Sequence, residues 1–576
     1  MWDCSRLETR RTRVVCLVVA VAMGALQAWS ARHSMNADGI SYLDMGDAYS
    51  RGDWANAING MWSPFYAWLL GLAEIAIRHS ARWEFGAAHL VNFAVYLWAI
   101  GAFNFFLKEL IDFNKTRSAA DSEAEIGLSE VAWTILGYTL FIWSSLYWVG
   151  LQNLTPDLLV EAIVFIAAGM CLRIHRRDAG WLSFLGFGLL LGVGYLSKTA
   201  MLPLGLVFLV TGAVSREAGG GVMSRFKRSA PGLVCALVGF LLLAAPYVAA
   251  LSKSKGRLTP GDSGKINYAW YVGLVTYRHW QGETPGAGTP VHPTRRLSDV
   301  PAIYEFAEPV GGTYPFWYDP SYWYEGVKVR LDLRRQVEVF AYNWKNYLST
   351  LFDLRGSLII GLLILLYVGD RGWSVARELM RQWRLIVPAL GALVLYSAVH
   401  VEERYIAPFL VLLFCSAFSV VRLLDSMESR RLITGVILVV VAMLALAVAP
   451  ATFQQARTAM GDLIKGREAQ GFLDWRIAEG LRHMGVNPGD KVGSLEYSNQ
   501  FNARWARLAR VRIAAEIYGG GEDEFWRSDP QIRSRAISTF AAAGVKLIVA
   551  RKFAGGADSA GWEPIEDTGC YVYFLQ

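Results

Sequence analysis

Charge is scarce in this chain. Asp, Glu, Lys and Arg supply 18% of its 576 residues, against about 25% in a soluble protein of ordinary composition. Hydrophobic residues make up 54%, and they gather in long runs instead of spreading through amphipathic elements, which excludes an ordinary soluble enzyme. Cysteine is sparse and scattered: Cys4, Cys16, Cys171, Cys235, Cys415 and Cys570 form neither a CxxC pair nor a Cys/His cluster. That excludes a thiolate-built zinc or iron–sulfur centre and argues against structural disulfides. A phosphate loop is missing too. Tyr518-Gly519-Gly520-Gly521 lacks the GK[ST] ending and the strand–helix setting, and reads as a turn. No internal repeat and no disordered tail is evident.

What the chain does have is a series of apolar runs, each able to cross a bilayer core, for which about 20 residues suffice. We place eleven spans at 14–31, 86–107, 129–149, 157–173, 181–197, 200–214, 230–251, 355–369, 385–400, 404–422 and 432–450. The first follows Arg6, Arg10, Arg11 and Arg13, and reads as an uncleaved signal anchor. Segment 62–78 is apolar as well. It follows Trp62-Ser63-Pro64 and contains Glu74, so it is expected to lie at the membrane interface.

Alternating the spans collects the basic residues on one side. Lys108, Lys115, Arg173, Arg176, Arg177, Arg216, Arg225, Arg371, Arg377, Arg381, Arg430 and Arg431 join the N-terminal arginines, while the opposite short loops hold little beyond Lys198 and Arg404. The positive-inside rule makes the first side cytoplasmic. Counting 62–78 as a span would invert every later loop and break the rule. The net charge of +7 is therefore an orientation signal and not a nucleic-acid face.

The expected fold is a mainly α, polytopic membrane protein of about 11 transmembrane helices with a small C-terminal α/β extramembrane domain. Residues 1–454 form the membrane part, with outer-face loops 32–85 and 252–354. The second loop is too long for a connector and is rich in Trp and Tyr, which suit headgroups and sugar rings. Residues 455–576 are soluble in character: 467–484 and 537–543 read as helices, 491–495 and 545–550 as strands.

Acids at the ends of apolar runs are the informative residues. Asp38 follows the first span, in Met35-Asn36-Ala37-Asp38-Gly39-Ile40-Ser41-Tyr42. It is either an ordinary solvated acid, like its neighbours Asp44 and Asp47 at helical spacing, or a reactive carboxylate with Tyr42 beside it. Asp157 opens the fourth span after Thr155-Pro156; its bland role is to complement the helix macrodipole. Lys198 lies between two apolar runs and either snorkels to headgroups or binds a lipid phosphate. His400-Val401-Glu402-Glu403-Arg404-Tyr405 forms a dense polar turn at the outer face. Arg404 there either pairs with Glu403 or takes a phosphate in a bidentate grip.

Together these residues resemble the GT-C superfamily of polytopic glycosyltransferases, in particular the dolichyl-phosphate-mannose protein mannosyltransferase and aminoarabinose transferase branch (glycosyltransferase family 39-like). The resemblance covers about 14–450 and rests on Asp38 in the first outer loop, Thr155-Pro156-Asp157, the stretch from Gly194 to Lys198, and Glu403-Arg404-Tyr405 followed by Pro408. It implies transfer of a sugar from a polyprenyl-phosphate donor at the outer face, mostly with inversion. Asp38 would be the base and Asp157 its assistant, with a divalent ion such as magnesium or manganese between the two carboxylates as an option. No tightly bound cofactor is expected. Lys198 and Arg404 would hold the donor phosphate, with Tyr42, His400, Glu403 and Tyr405 around the substrate. Carboxylates and cations would then occupy opposite walls, as inversion requires. Asp38 is followed by Gly39 and not by a second acid, so the family's adjacent acidic pair is missing.

The expected partners are the lipid-linked donor, a glycan, lipid or protein acceptor, and membrane lipids. The expected location is a bacterial inner membrane, with the N-terminus cytoplasmic and the C-terminal domain periplasmic. A transporter or flippase of a lipid-linked saccharide is the rival reading. It would call for charges near mid-membrane and paired broken helices, and few such charges are found. A scaffold would leave Asp38 and Asp157 without a role.

Overall fold

In the computed structural model, each of the eleven apolar stretches lies on a helix. The structure describes all residues except 1, 122–124, 177–178, 216–221, 307, 353–355, 370–372, 466–469, 496–500, 519, 552–560 and 576. Arg177, Arg216, Arg371 and Gly519 of the sequence reading lie outside the described residues.

The elements used below are α1 (Trp2–Ala31), α2 (Ala37–Ser50), α3 (Pro64–Ala76), α4 (Ala81–Asp121), α5 (Glu130–Ile142), α6 (Asp157–Arg176), α7 (Trp181–Ser197), α8 (Met201–Val214), α9 (Val222–Lys255), α10 (Leu333–Phe352), α11 (Gly356–Val368), α12 (Trp383–Ser397), α13 (Glu403–Phe418), α14 (Met427–Lys465) and α15 (Phe501–Ala509). Five stretches, Leu7–Ala31, Ala81–Thr116, Asp157–Arg176, Ser229–Lys255 and Met427–Gly461, are long and apolar enough to cross a membrane by length and composition. The chain is a multi-pass membrane protein.

The outer segments are ordered by packing and by side-chain hydrogen bonds. Segment 62–78 forms α3, whose first turn starts with Pro64, where a missing N–H costs nothing. α3 lies on α2 so closely that a Cβ on Gly46 would stand 2.9 Å from the backbone N of Gly71. α5 continues into a π-helix, Trp143–Val149, which ends at Gly150 with φ +73°. There Ser144 and Ser145 both donate to the fully buried Glu161 of α6, at 2.7 and 3.0 Å. α10 is amphipathic. Its Gln336, Asn343 and Tyr347 donate to the carbonyls of Ala398, Ser397 and Leu393 and steady the exit of α12.

A seven-stranded sheet stands outside the helices. Its strands are β1 (Arg295–Asp299), β2 (Ala302–Glu305), β3 (Lys491–Ser494), β4 (Arg512–Ile517), β5 (Leu547–Ala550), β6 (Trp562–Pro564) and β7 (Tyr571–Phe574), in the order β1-β2-β4-β3-β5-β7-β6. The two strands expected at 491–495 and 545–550 are parallel neighbours at its centre. The expected helices appear as Gln470–His483 and Pro530–Ala542. Strands β1 and β2 come from the long outer loop, and β2 pairs antiparallel with β4. Ile303 of β2 shares a core with Ala515, Ile517, Phe525 and Ile548. The outer loop and the C-terminal region thus complete one sheet.

Candidate active site

Asp38 and Asp157 lie far apart in sequence, and the residues beside them bring them together. Asn36, just before α2, accepts the backbone N–H of Leu154 on its Oδ1 at 2.9 Å. Gln27 of α1 accepts the N–H of Leu151 at 2.8 Å and donates to the carbonyl of Leu146 at 3.0 Å. The start of α2 is thereby laced to the turn that leads into α6. The contact is close: a Cβ on Gly39 would fall 2.6 Å from Met35 Sδ and 2.9 Å from Leu154 Cβ. A side chain at position 39 would require these neighbours to shift.

The two carboxylates line a cavity of about 400 Å³ together with Tyr42, Lys198, His400, Arg404 and Tyr405. The Thr155 hydroxyl donates to Asp157 Oδ2 at 2.8 Å. Lys198 Nζ sits 2.5 Å from Asp157 Oδ1 and 3.6 Å from the centre of the Tyr405 ring. Arg404 Nη1 lies 3.5 Å from Asp157 and 3.8 Å from Asp38, and its Nε donates to Glu402 at 2.5 Å. The expected opposite walls are not seen: Arg404 lies between the carboxylates. The physical reason is plain, since a guanidinium fork takes the nearest anions.

Asp38 is the least committed of the three acids. Trp317 Nε1 donates to its Oδ1 at 3.2 Å, and the Arg404 contact is long. Burial raises its pKa above the usual carboxylate value, against the opposing pull of Arg404 and Trp317. Burial lowers Lys198 from its ordinary value, while Asp157 opposes that shift. Glu402 goes the other way. Burial raises it, but the hydrogen bond from His400 and the charge of Arg404 outweigh burial and hold it at about 2.

Of the eight residues singled out from the sequence, Glu403 alone does not line the cavity. It is exposed at the start of α13, and Glu402 stands in the lining instead. Tyr42 packs edge-on against Tyr66 and tilts against Trp62. His400 stacks on Tyr271 at 3.9 Å. The sequence reading did not single out Trp62, Trp270, Tyr277 and Trp317, which make an aromatic wall. Trp270 stacks on Trp317 at 6.0 Å, and Tyr277 and Trp62 flank it. For Trp270, Tyr277 and Trp317, aromatic abundance in 252–354 was the available signal, with no period to pick out single rings. Among the described residues, the group of three with metal-ligand spacing is Asp47, Glu74 and His79, whose ligand atoms lie within 4.8 Å of one another.

The fold resembles solved structures of membrane glycosyltransferases. The chain is similar to ArnT from Cupriavidus metallidurans bound to undecaprenyl phosphate, at 13% identity over 97% of each chain with a TM-score of 0.48. It is similar to the same protein in the apo state at 15% identity over 93% of each chain, with a TM-score of 0.45. It is also similar to the archaeal oligosaccharyltransferase AglB from Archaeoglobus fulgidus in complex with an inhibitory peptide and a dolichol-phosphate. There the identity is 12%, the coverage 94% of this chain and 69% of that one, and the TM-score 0.44. Both are GT-C glycosyltransferases. No family model and no curated protein matches the chain.

Proposed function

We propose that this chain is an integral-membrane glycosyltransferase that moves a sugar from a polyprenyl-phosphate donor to an acceptor at the outer face, with inversion and with Asp38 as base. The observation that carries the reading is one cavity in which the buried Asp157 and the half-buried Asp38 carboxylates meet Lys198 and Arg404 beside a wall of Trp and Tyr. The cations suit a phosphate, the carboxylates suit an acceptor hydroxyl, and the rings suit a sugar face.

The chemistry follows from these groups. The acceptor oxygen forms a bond to the anomeric carbon while its proton passes to Asp38. The bond from that carbon to the phosphate oxygen breaks, and its electron pair leaves with polyprenyl phosphate. Lys198 and Arg404 stabilise the charge that develops there. A donor phosphate competes with Asp38 and Glu402 for Arg404. The 3.8 Å contact to Asp38 is the longest that Arg404 makes with an acid, and so the first to yield. Asp157 keeps Lys198 in place. A divalent ion between Asp38 and Asp157 would have to displace cations already beside both acids. The donor set therefore does not fit a resident metal, and no step is routed through one.

The test is turnover of radiolabelled polyprenyl-phosphate sugars by purified wild type and Asp38→Asn. The change is nearly isosteric. Wild-type turnover that vanishes in a folded variant supports the reading. Equal turnover removes Asp38 as base. Absence of turnover with any donor, with protein-dependent movement of the lipid across liposomes, would make the chain a transporter.

A further inference from the structure

Charged side chains gather in two clusters, and the active-site cavity uses only one of them. The other lies where α15 of the C-terminal region meets α2, α3 and α4. Arg507 of α15 is buried there. Its Nη1 lies 2.8 Å from Asp44 and 2.6 Å from Asp47 of α2, and its Nε 2.5 Å from Glu84 of α4. Both Asp44 and Asp47 stand on the helix that carries Asp38 in its first turn.

Asp44 has a second set of partners. It accepts the backbone N–H and the hydroxyl of Thr313, each at 2.8 Å. Thr313 begins the aromatic segment that carries Trp317, and Trp317 donates to Asp38. Ser41 adds a bond between the same two pieces, from its hydroxyl to the Trp317 carbonyl at 3.3 Å. Helix α2 and segment 313–317 are therefore two rails with three rungs, at 44–313, 41–317 and 38–317. Arg507 grips the rung farthest from the cavity.

We infer that Arg507 is a positioning residue for the transfer reaction, setting Asp38 against Trp317 from the C-terminal region through Asp44 and Thr313. The inference rests on Asp38 acting as proposed above. A buried guanidinium with fixed fork geometry defines the position of the acids around it in a way a flexible ammonium does not. Small displacements of a catalytic group cost rate more than binding.

The test uses the full-length protein with Arg507→Lys, which keeps the charge and loses the fork, and Thr313→Val, which cuts one hydrogen bond and leaves Arg507 in place. Two readouts are taken: amide hydrogen exchange over 37–50 and 312–318, and turnover of radiolabelled polyprenyl-phosphate sugars. Faster exchange in both segments is expected for Arg507→Lys, with kcat lower by about tenfold or more and donor KM little changed. Thr313→Val is expected to shift both readouts the same way by less. Unchanged exchange in α2, or faster exchange with unchanged kcat, overturns the inference. If wild type turns over no donor, the proposed function fails on its own. The exchange result then still decides whether Arg507 holds α2: faster exchange supports the link and unchanged exchange overturns it.

Discussion

At the scale of single residues, the site divides by how strongly each charge is already held. Asp157 is engaged by Lys198, Arg404 and Thr155, while Asp38 has one indole N–H and a long contact to Arg404. A base must be charged to accept a proton, and burial raises the pKa of Asp38. Turnover should therefore fall as pH drops through that raised value. The acid limb of kcat/KM against pH is expected above the ordinary aspartate value of about 4. Arg404→Lys keeps the charge but loses the fork, so donor KM is expected to rise by about tenfold, measured with varied donor. EDTA should leave turnover unchanged; a loss restored by magnesium or manganese would show that a divalent ion takes part. Asp38, Asp157, Lys198 and Arg404 were legible from the sequence because charged residues at the ends of apolar runs are rare. Glu402 was not, because in a turn of unknown phase either of two adjacent glutamates can face inward. Nor was Trp317, one ring in an aperiodic aromatic stretch whose role depends on contact with a residue 279 positions away.

At the scale of elements, the apolar runs foretold the helices because a run without charge has few ways to satisfy its backbone in a membrane except as a helix. The sequence pattern did not show the π-helix at Trp143–Val149. Its register is tied to Glu161, whose Oε1 accepts from both serines. Glu161→Gln retains a carbonyl acceptor and should stay close to wild type. Glu161→Ala leaves two buried hydroxyls without an acceptor and should cost about 2–3 kcal/mol, read as a lower midpoint of thermal unfolding in detergent. Because the π-helix leads into the turn before Asp157, the same variant should also lower turnover. The central strands β3 and β5 were legible as short segments around Val492 and Leu547-Ile548-Val549. The pairing of β2 with β4 was not, because it joins segments about 200 residues apart and no local pattern encodes it.

At the scale of the whole molecule, the membrane helices bring the charged residues to one cavity, and the outer segments fix their alignment. A chain truncated after 465 keeps every residue of the cavity lining but loses Arg507 and β4. It should insert into membranes and show no donor turnover, checked by membrane extraction and the radiolabel assay. The pairing of β2 with β4 also has a consequence in time. During synthesis, segment 302–305 is made long before its partner 512–517 exists. Until then it is an open sheet edge, and the neighbouring segment lacks the bond from Ile513 N–H to the Thr313 carbonyl. The segment that carries the tryptophan opposite Asp38 gains that bond only once residue 513 has been made. Ribosomal pauses or premature stops downstream of α14 should thus yield inserted but inert protein with an exposed strand, a natural target for proteases.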